Sequence, residues 1–243
     1  MNVNYKDQKE TVALPVAIGF LMLSLTYVGA FVAIIDGGPA ARVGGWVFVA
    51  GKGCVLLSTI LGVMRSPRWG WKLFVGRYVY DWHRPRRAVM QALARFGWEM
   101  PQLWLGYMVS QWRVLTGRID GVQYLGGVTF VVDQERHDGM SMGLSLGCFV
   151  NIWISDAVEA DFEKQVRYRS GQLFMHEFGH TVDSLRWGWL YLLVVGIPSY
   201  LSQVAELVTH GRHQHQHLYA ERWANKNAEH YFDIAMRDLT PKK

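Results

Sequence analysis

From Val12 to Ile35 the chain runs for 24 residues without a charge, VALPVAIGFLMLSLTYVGAFVAII. At 1.5 Å per residue a helix of that length reaches roughly 36 Å, and a bilayer hydrocarbon core is about 30 Å thick. The segment is read as a membrane helix. A secretory signal peptide, the competing reading, has a shorter apolar core and a small-residue cleavage site. Asp36-Gly37-Gly38-Pro39 then breaks the helix. A second apolar run extends from Val43 to Met64, with Lys52 inside it between two glycines. A lysine at bilayer depth costs about 2.5–3.5 kcal/mol on insertion scales, so Lys52 is expected to face the partner helix or to snorkel. The short loop makes the two helices an antiparallel hairpin.

Flanking charge orients that hairpin. Arg42 is the clear positive charge of the connecting loop, whereas Arg65, Arg68, Lys72, Arg77, Arg84, Arg86 and Arg87 follow the second run. Lys6 and Lys9 lie at the same end. The positive-inside rule places that end in the cytoplasm. The net charge of +5 is therefore mostly juxtamembrane. Trp69, Trp71, Phe74, Tyr78, Tyr80 and Trp82 interleave with it, a mixture suited to anionic lipid headgroups. No recognition motif accompanies these basic residues, so no nucleic acid is expected as partner. Charged residues make up 19% of the chain, below a soluble norm of about 25%, which agrees with a membrane contribution. Cys54 and Cys148 lack metal or disulfide spacing and are expected to stay reduced or buried.

Beyond the hairpin, residues 85–98 and 101–115 carry apolar residues at helical spacing, and Pro101 suits the start of a helix that ends before Gly117. In the second, Leu103, Leu105, Met108, Trp112 and Leu115 form the expected core or membrane face. Residues 122–132 and 142–153 turn to β-branched and aromatic composition. They are read as a small antiparallel sheet, with Asp138-Gly139 in the connection. Residues 157–168 suggest a helix or a charged lead-in. The fold class is α+β and mainly helical. Residues 1–66 form a transmembrane hairpin, 67–117 a basic and aromatic juxtamembrane segment, and 118–243 a metal-binding domain.

The chemistry centres on LFMHEFGHTVDSL, from Leu173 to Leu185, with Ser170 as the expected N-cap of its helix. His176 and His180 fall on one face, one turn apart. Two neutral imidazoles can grip one Zn²⁺, and Glu177 beside them can take a proton from water. That points to peptide-bond hydrolysis. The bare pattern also occurs by chance, as a satisfied histidine pair. Two features favour the metal: the apolar flanks Phe174, Met175, Phe178 and Val182, and a third donor downstream. Glu221 opens YAERWANKNAEHYF, a segment of helical composition, and is the preferred third ligand. Asp183 is an alternative ligand on the motif helix, though a group behind the ligands suits it better. Glu206 is the reserve, and Asn225 a second supporting group. A catalytic zinc then keeps one place open for water.

His176-Glu177-x-x-His180 with Glu221-x-x-Ala224-Asn225 resembles the zincin metallopeptidases of the gluzincin kind. The resemblance implies that the two histidines and the later glutamate hold zinc and that Glu177 is the base. Closer still is a likeness to small bacterial membrane-associated HExxH proteins. It runs through Pro101-Gln102, Leu146-Gly147, the motif, Gly196-Ile-Pro-Ser199 and the Glu221-Arg-Trp-Ala-Asn225 run, covering about residues 98–232. These further runs suggest kinship without naming a substrate; the zinc motif implies a peptidase acting on peptide or protein, and the flanking charge is what places its domain on the cytoplasmic side of a bacterial inner membrane.

Two features of the 41-residue gap between His180 and Glu221 need a reading. Residues 187–207 are strongly apolar, but Gly196 and Pro198 interrupt them. A full crossing would part the ligands, so a buried or interfacial hairpin is expected. His210, His213, His215 and His217 form a tract that suits metal loading, pH sensing or an exposed loop, or could supply a ligand in place of Glu221. Tyr191 and Tyr219 are candidate oxyanion donors. The rival function is a non-catalytic membrane scaffold or sensor with a structural metal or none. Intramembrane proteolysis is opposed by Arg167, Arg169, Asp183 and Arg186 around the motif.

Overall fold

Proline sets most of the helix starts. Pro39, Pro67 and Pro85 are first residues of helices and Pro101 and Pro198 second ones, positions where the missing N–H costs nothing. A computed structural model describes residues 13–133, 142–154, 169–209 and 215–233, with the side chains of 13–24 and 169–172 outside that description. The elements are α1 (Ala13–Asp36), α2 (Pro39–Arg65), α3 (Pro67–Gly76), α4 (Pro85–Phe96), α5 (Met100–Leu115), β1 (Gly121–Leu125), β2 (Val128–Asp133), β3 (Met142–Leu146) and β4 (Phe149–Trp153). They continue with α6 (Arg169–Trp187), α7 (Ile197–Val208) and α8 (Tyr219–Phe232). The fold is mainly helical with one small sheet. The residues expected to form a lead-in helix, 157–168, and the Asp138-Gly139 connection lie outside the described residues.

α1 and α2 pack as a helical pair, and α2 is long and apolar enough to cross a membrane. Lys52 is buried with its ammonium 5.3 Å from the Phe48 ring centre and 5.0 Å from that of Trp104 on α5. The reason is that α5 packs along α2, with Trp104 seated on Gly51. Two aromatic faces then offer the cation what water would otherwise supply.

The sheet is mixed, not antiparallel. Each segment read as one strand is a hairpin: Gly126 and Gly127, both at positive φ, join β1 to β2, and Gly147 at φ 61° turns β3 into β4. Such two-residue turns need left-handed backbone, which glycine adopts without a Cβ clash. The hairpins meet through their second strands, β2 and β4, which therefore run parallel in the order β1-β2-β4-β3.

Both faces of the central strands are covered, as is usual for parallel pairs. Phe130, Val132, Val150 and Ile152 pack under Phe174, Met175 and Phe178 of α6 and Ala228 and Phe232 of α8. Val131 and Phe149 meet Leu103, Tyr107 and Val114 of α5, Leu73 of α3 and Val55 of α2. Of the α5 face expected to meet core or membrane, Leu103 is buried in the core. Leu105 and Trp112 are exposed, while Gln102, Ser110, Gln111 and Arg113 are buried, because polar side chains on this helix satisfy sheet and loop carbonyls. Arg113 donates to the carbonyls of Val131 at 3.0 Å, Ile152 at 3.1 Å and Arg118 at 3.2 Å, and lies 3.6 Å from the Asp133 carboxylate.

Arg113→Met removes a buried cation from five acceptors at once, the Asn151 Oδ1 at 3.2 Å included. It should lower the unfolding free energy by about 3–5 kcal/mol, measured by chemical denaturation in detergent micelles followed through tryptophan fluorescence.

Candidate metal centre

α6 is described from Arg169 onward, so the Ser170 expected to cap it lies within the helix. Phe174, Met175 and Phe178 turn to the sheet, which leaves His176, Glu177 and His180 facing a cleft of about 750 Å³. Opposite them α8 presents a buried stripe of Ala220, Ala224, Ala228 and Phe232. Glu221 sits in its first turn, where a carboxylate also meets the positive end of the helix dipole.

His176, His180 and Glu221 come together with one donor atom each, all within 4.8 Å of one another. Glu221 Oε2 is 2.9 Å from His176 Nε2 and 3.4 Å from His180 Nε2. The two imidazoles cross edge to face at 4.9 Å. This donor set suits a divalent cation of borderline softness such as zinc.

The outer ring nitrogens test that fit. His176 Nδ1 meets Asn225 Oδ1 at 2.7 Å. With Nδ1 bonded there as donor, Nε2 is left as the ligand atom. His180 Nδ1 and Asp183 Oδ2 are both buried without a hydrogen bond, and they face each other at 4.0 Å. Asn227 fixes the other Asp183 oxygen at 2.7 Å. Asn225 and Asp183 thus both stand behind the imidazoles, and Asp183 is not a ligand. Burial raises the Asp183 carboxyl, with the Asn227 hydrogen bond and the nearby His180 opposing it.

Glu177 lies off the ligand set, against β3. Ser145 Oγ donates to its Oε2 at 2.6 Å, and its carboxyl covers Gly143, where a Cβ would fall 2.2 Å from Oε1. Ser145 was not anticipated from the sequence. Its only signal is its place beside Leu146-Gly147. Ser199 was also missed as a site residue, and it donates to Glu221 Oε1 at 2.7 Å.

The histidine tract is half described. His215 and His217 line the cleft, and His215 Nε2 is 3.5 Å from Glu221 Oε1. Among the described residues no histidine takes the place of Glu221. His210 and His213 lie outside the described residues. Glu206, the reserve ligand, accepts the His215 backbone N–H at 3.1 Å and stays out of the cluster. The two tyrosine candidates are engaged elsewhere: Tyr191 donates to the Ser145 carbonyl at 2.9 Å, and Tyr219 to the Val194 carbonyl. The apolar run does not part the ligands. The helical segments Leu173–Leu190 and Leu192–Val208 meet at a 118° bend, which begins where Gly188 adopts φ 50°.

Charge in the metal-free cluster is shared between proton and carboxylate. Burial alone would lower His176, but the hydrogen bond to Glu221 and the charges of Glu177 and Glu221 outweigh it and lift it to about 9. Burial likewise opposes ionisation of Glu221, yet the two imidazoles hold it far below the usual carboxylate range. A raised histidine stabilises the fold while protonated. That contribution is full below its unfolded value of 6.5 and is lost as pH rises through about 9.

A cation needs the same imidazole neutral. Its binding at pH 7 should release close to one proton, and affinity should weaken about tenfold per pH unit below 9. Titration calorimetry in buffers of different ionisation enthalpy measures both. No protein-family model, curated protein or solved structure matches this chain, so the arrangement of His176, His180, Glu221 and Glu177 is what carries a function.

Proposed function

We propose that this chain is a membrane-anchored, zinc-dependent metallopeptidase of zincin type. The observation that carries the proposal is the convergence of His176, His180 and Glu221 from two helices, with a carboxylate, Glu177, beside the ligands but outside them. His176, His180 and Glu221 would hold the zinc, which when bound would supply Lewis acidity to a water and to a peptide carbonyl. Glu177 accepts the proton of the attacking water and passes it to the leaving amine. Ser145 holds that carboxylate by one oxygen, and Asn225 and Asp183 orient the imidazoles. β3 is the edge strand beside Glu177, unpaired on its outer side among the described residues. An extended polypeptide can align along such an edge by main-chain hydrogen bonds.

The anchor is the α1–α2 hairpin, whose loop faces away from the cytoplasm under the positive-inside rule. The reading places the cleft on the cytoplasmic side of a bacterial inner membrane, with lipid and a peptide or protein substrate as partners and no nucleic acid.

Glu177→Gln should keep about one zinc per chain and lose roughly 10²–10⁴-fold in hydrolysis of an unfolded, fluorescein-labelled protein. Metal analysis and fluorescence release measure the two. A metal-free chain of native fold, or a Glu177→Gln variant as active as the parent, overturns the proposal.

One observation favours the rival reading of a non-catalytic scaffold or sensor. His215 Nε2 stands 3.5 Å from Glu221 Oε1, outside the three-donor cluster, and a swing of its ring would bring a fourth donor to the site. His215→Ala separates the two. The peptidase keeps its zinc and its open place, whereas a closed structural site loses metal affinity by about 10–100-fold or more in a competition titration.

A further inference from the structure

α7 has two unlike faces. Ser199 and Gln203 line the cleft, and Ser199 holds Glu221. The outward face is apolar: Ile197, Leu201, Val204, Leu207 and Val208 are 36–72% exposed. Between Trp187 and Thr209 the only acidic or basic side chain is Glu206, which is turned to the backbone of His215.

The exposed apolar surface does not end with this helix. Trp189, Leu190 and Leu193 continue it through the turn. Trp98 packs on Gly188 and is itself half exposed. Beyond it α4 exposes Val89, Met90 and Leu93 and packs beside α1. α5 exposes Leu105 and Trp112 while lying along α2, whose own Leu56, Leu57, Ile60 and Met64 are open. Water-soluble monomers rarely leave contiguous apolar surface on this scale. Arg84 and Arg86 at the start of α4, and Arg186 just before the turn, are exposed cations suited to anionic headgroups.

We infer that the outward face of α7 and of the turn before it is seated on the lipid bilayer. The metal cleft then opens at headgroup level and takes its polypeptide from the membrane surface, a clause that rests on the peptidase reading above. The occupant is lipid because the apolar surface is continuous with α2, the helix long enough to cross a membrane. The polar face of α7 meanwhile stays on the cleft, which is how an interfacial amphipathic helix lies.

The test uses the full chain in nanodiscs of phosphatidylcholine and phosphatidylglycerol, loaded with one chain per disc. In a Cys54→Ser background the buried Cys148 stays out of reach of the label. Single cysteines at Leu201, Val208, Gln203 and Lys226 carry an environment-sensitive nitrobenzoxadiazole dye. Labels at Leu201 and Val208 should shift to the blue, lose emission to nitroxides on lipid chains and resist aqueous iodide. The Gln203 label should be quenched most by headgroup nitroxides, and the Lys226 label, on exposed α8 surface away from the cleft, by iodide alone. Labels at Leu201 and Val208 that behave like the one at Lys226 overturn the inference. So does shielding that appears only with two chains per disc, which would make the face a contact between copies. The Glu177→Gln variant is read in parallel: immersion of the labels without any loss of hydrolysis in that variant removes the peptidase reading and leaves the membrane seat standing.

Discussion

How closely α6 and α8 cross determines whether the cleft has any chemistry. Gly179 lies between the two histidines, and a Cβ there would fall 2.0 Å from the Ala224 carbonyl oxygen. The partner surface is a stripe of alanines. Small residues on both sides let the two backbones meet, and at that separation a glutamate in the first turn of α8 reaches both imidazoles. A larger side chain at either position would push the helices apart. Glu221 would then stand too far from His176 and His180 to share a ligand with them. The central glycine of the motif is therefore a packing requirement that the metal chemistry inherits.

The same closeness brings charge together out of water, where it is costly unless paired. Glu221 meets the cost with two imidazoles and the Ser199 hydroxyl. The proton on His176 occupies the electrostatic role that a cation would fill, so proton and metal compete for one geometry. Little rearrangement separates the two states, because Asn225 and the Asp183–Asn227 pair already stand behind the imidazoles. Two orphan atoms, His180 Nδ1 and Asp183 Oδ2, are left unsettled behind the imidazoles. Fixing the other His180 nitrogen on a cation would settle the tautomer and point an N–H at that oxygen.

Much of this centre was legible because its signals are local. The histidines are one helical turn apart, and Glu221 opens a segment whose alanines and aromatics already describe a buried stripe. Asn225 follows it by one further turn. The sheet was read less well because strand pairing is a non-local decision. The Gly126-Gly127 pair does mark a turn, and giving it full weight would have split the segment into β1 and β2. That β2 should then pair in parallel with β4 has no local signature. Ser145 and Ser199 were missed for the same reason: each reaches the cleft from a different element, and nothing near it in sequence names its partner. Lys52 was expected to face its hairpin partner or to snorkel because the sequence does not reveal that α5 lies alongside α2.

That packing also changes what the hairpin is. Along one side of α5, Trp104 seats on Gly51, the Tyr107 hydroxyl meets Thr59 at 2.6 Å, and Gln111 packs on Gly62. On another side Gly106 lies so close to β3 that a Cβ would fall 2.2 Å from the Leu146 carbonyl oxygen. Leu146 follows Ser145, whose hydroxyl holds Glu177. A flexible tether would leave the cleft free to tumble relative to its anchor. Here α2, α5, the sheet edge and Glu177 are joined by side-chain packing with no linker among them. Wherever α2 crosses a bilayer, the height and tilt of the cleft follow from the close-packed core, which yields far less than a loop does.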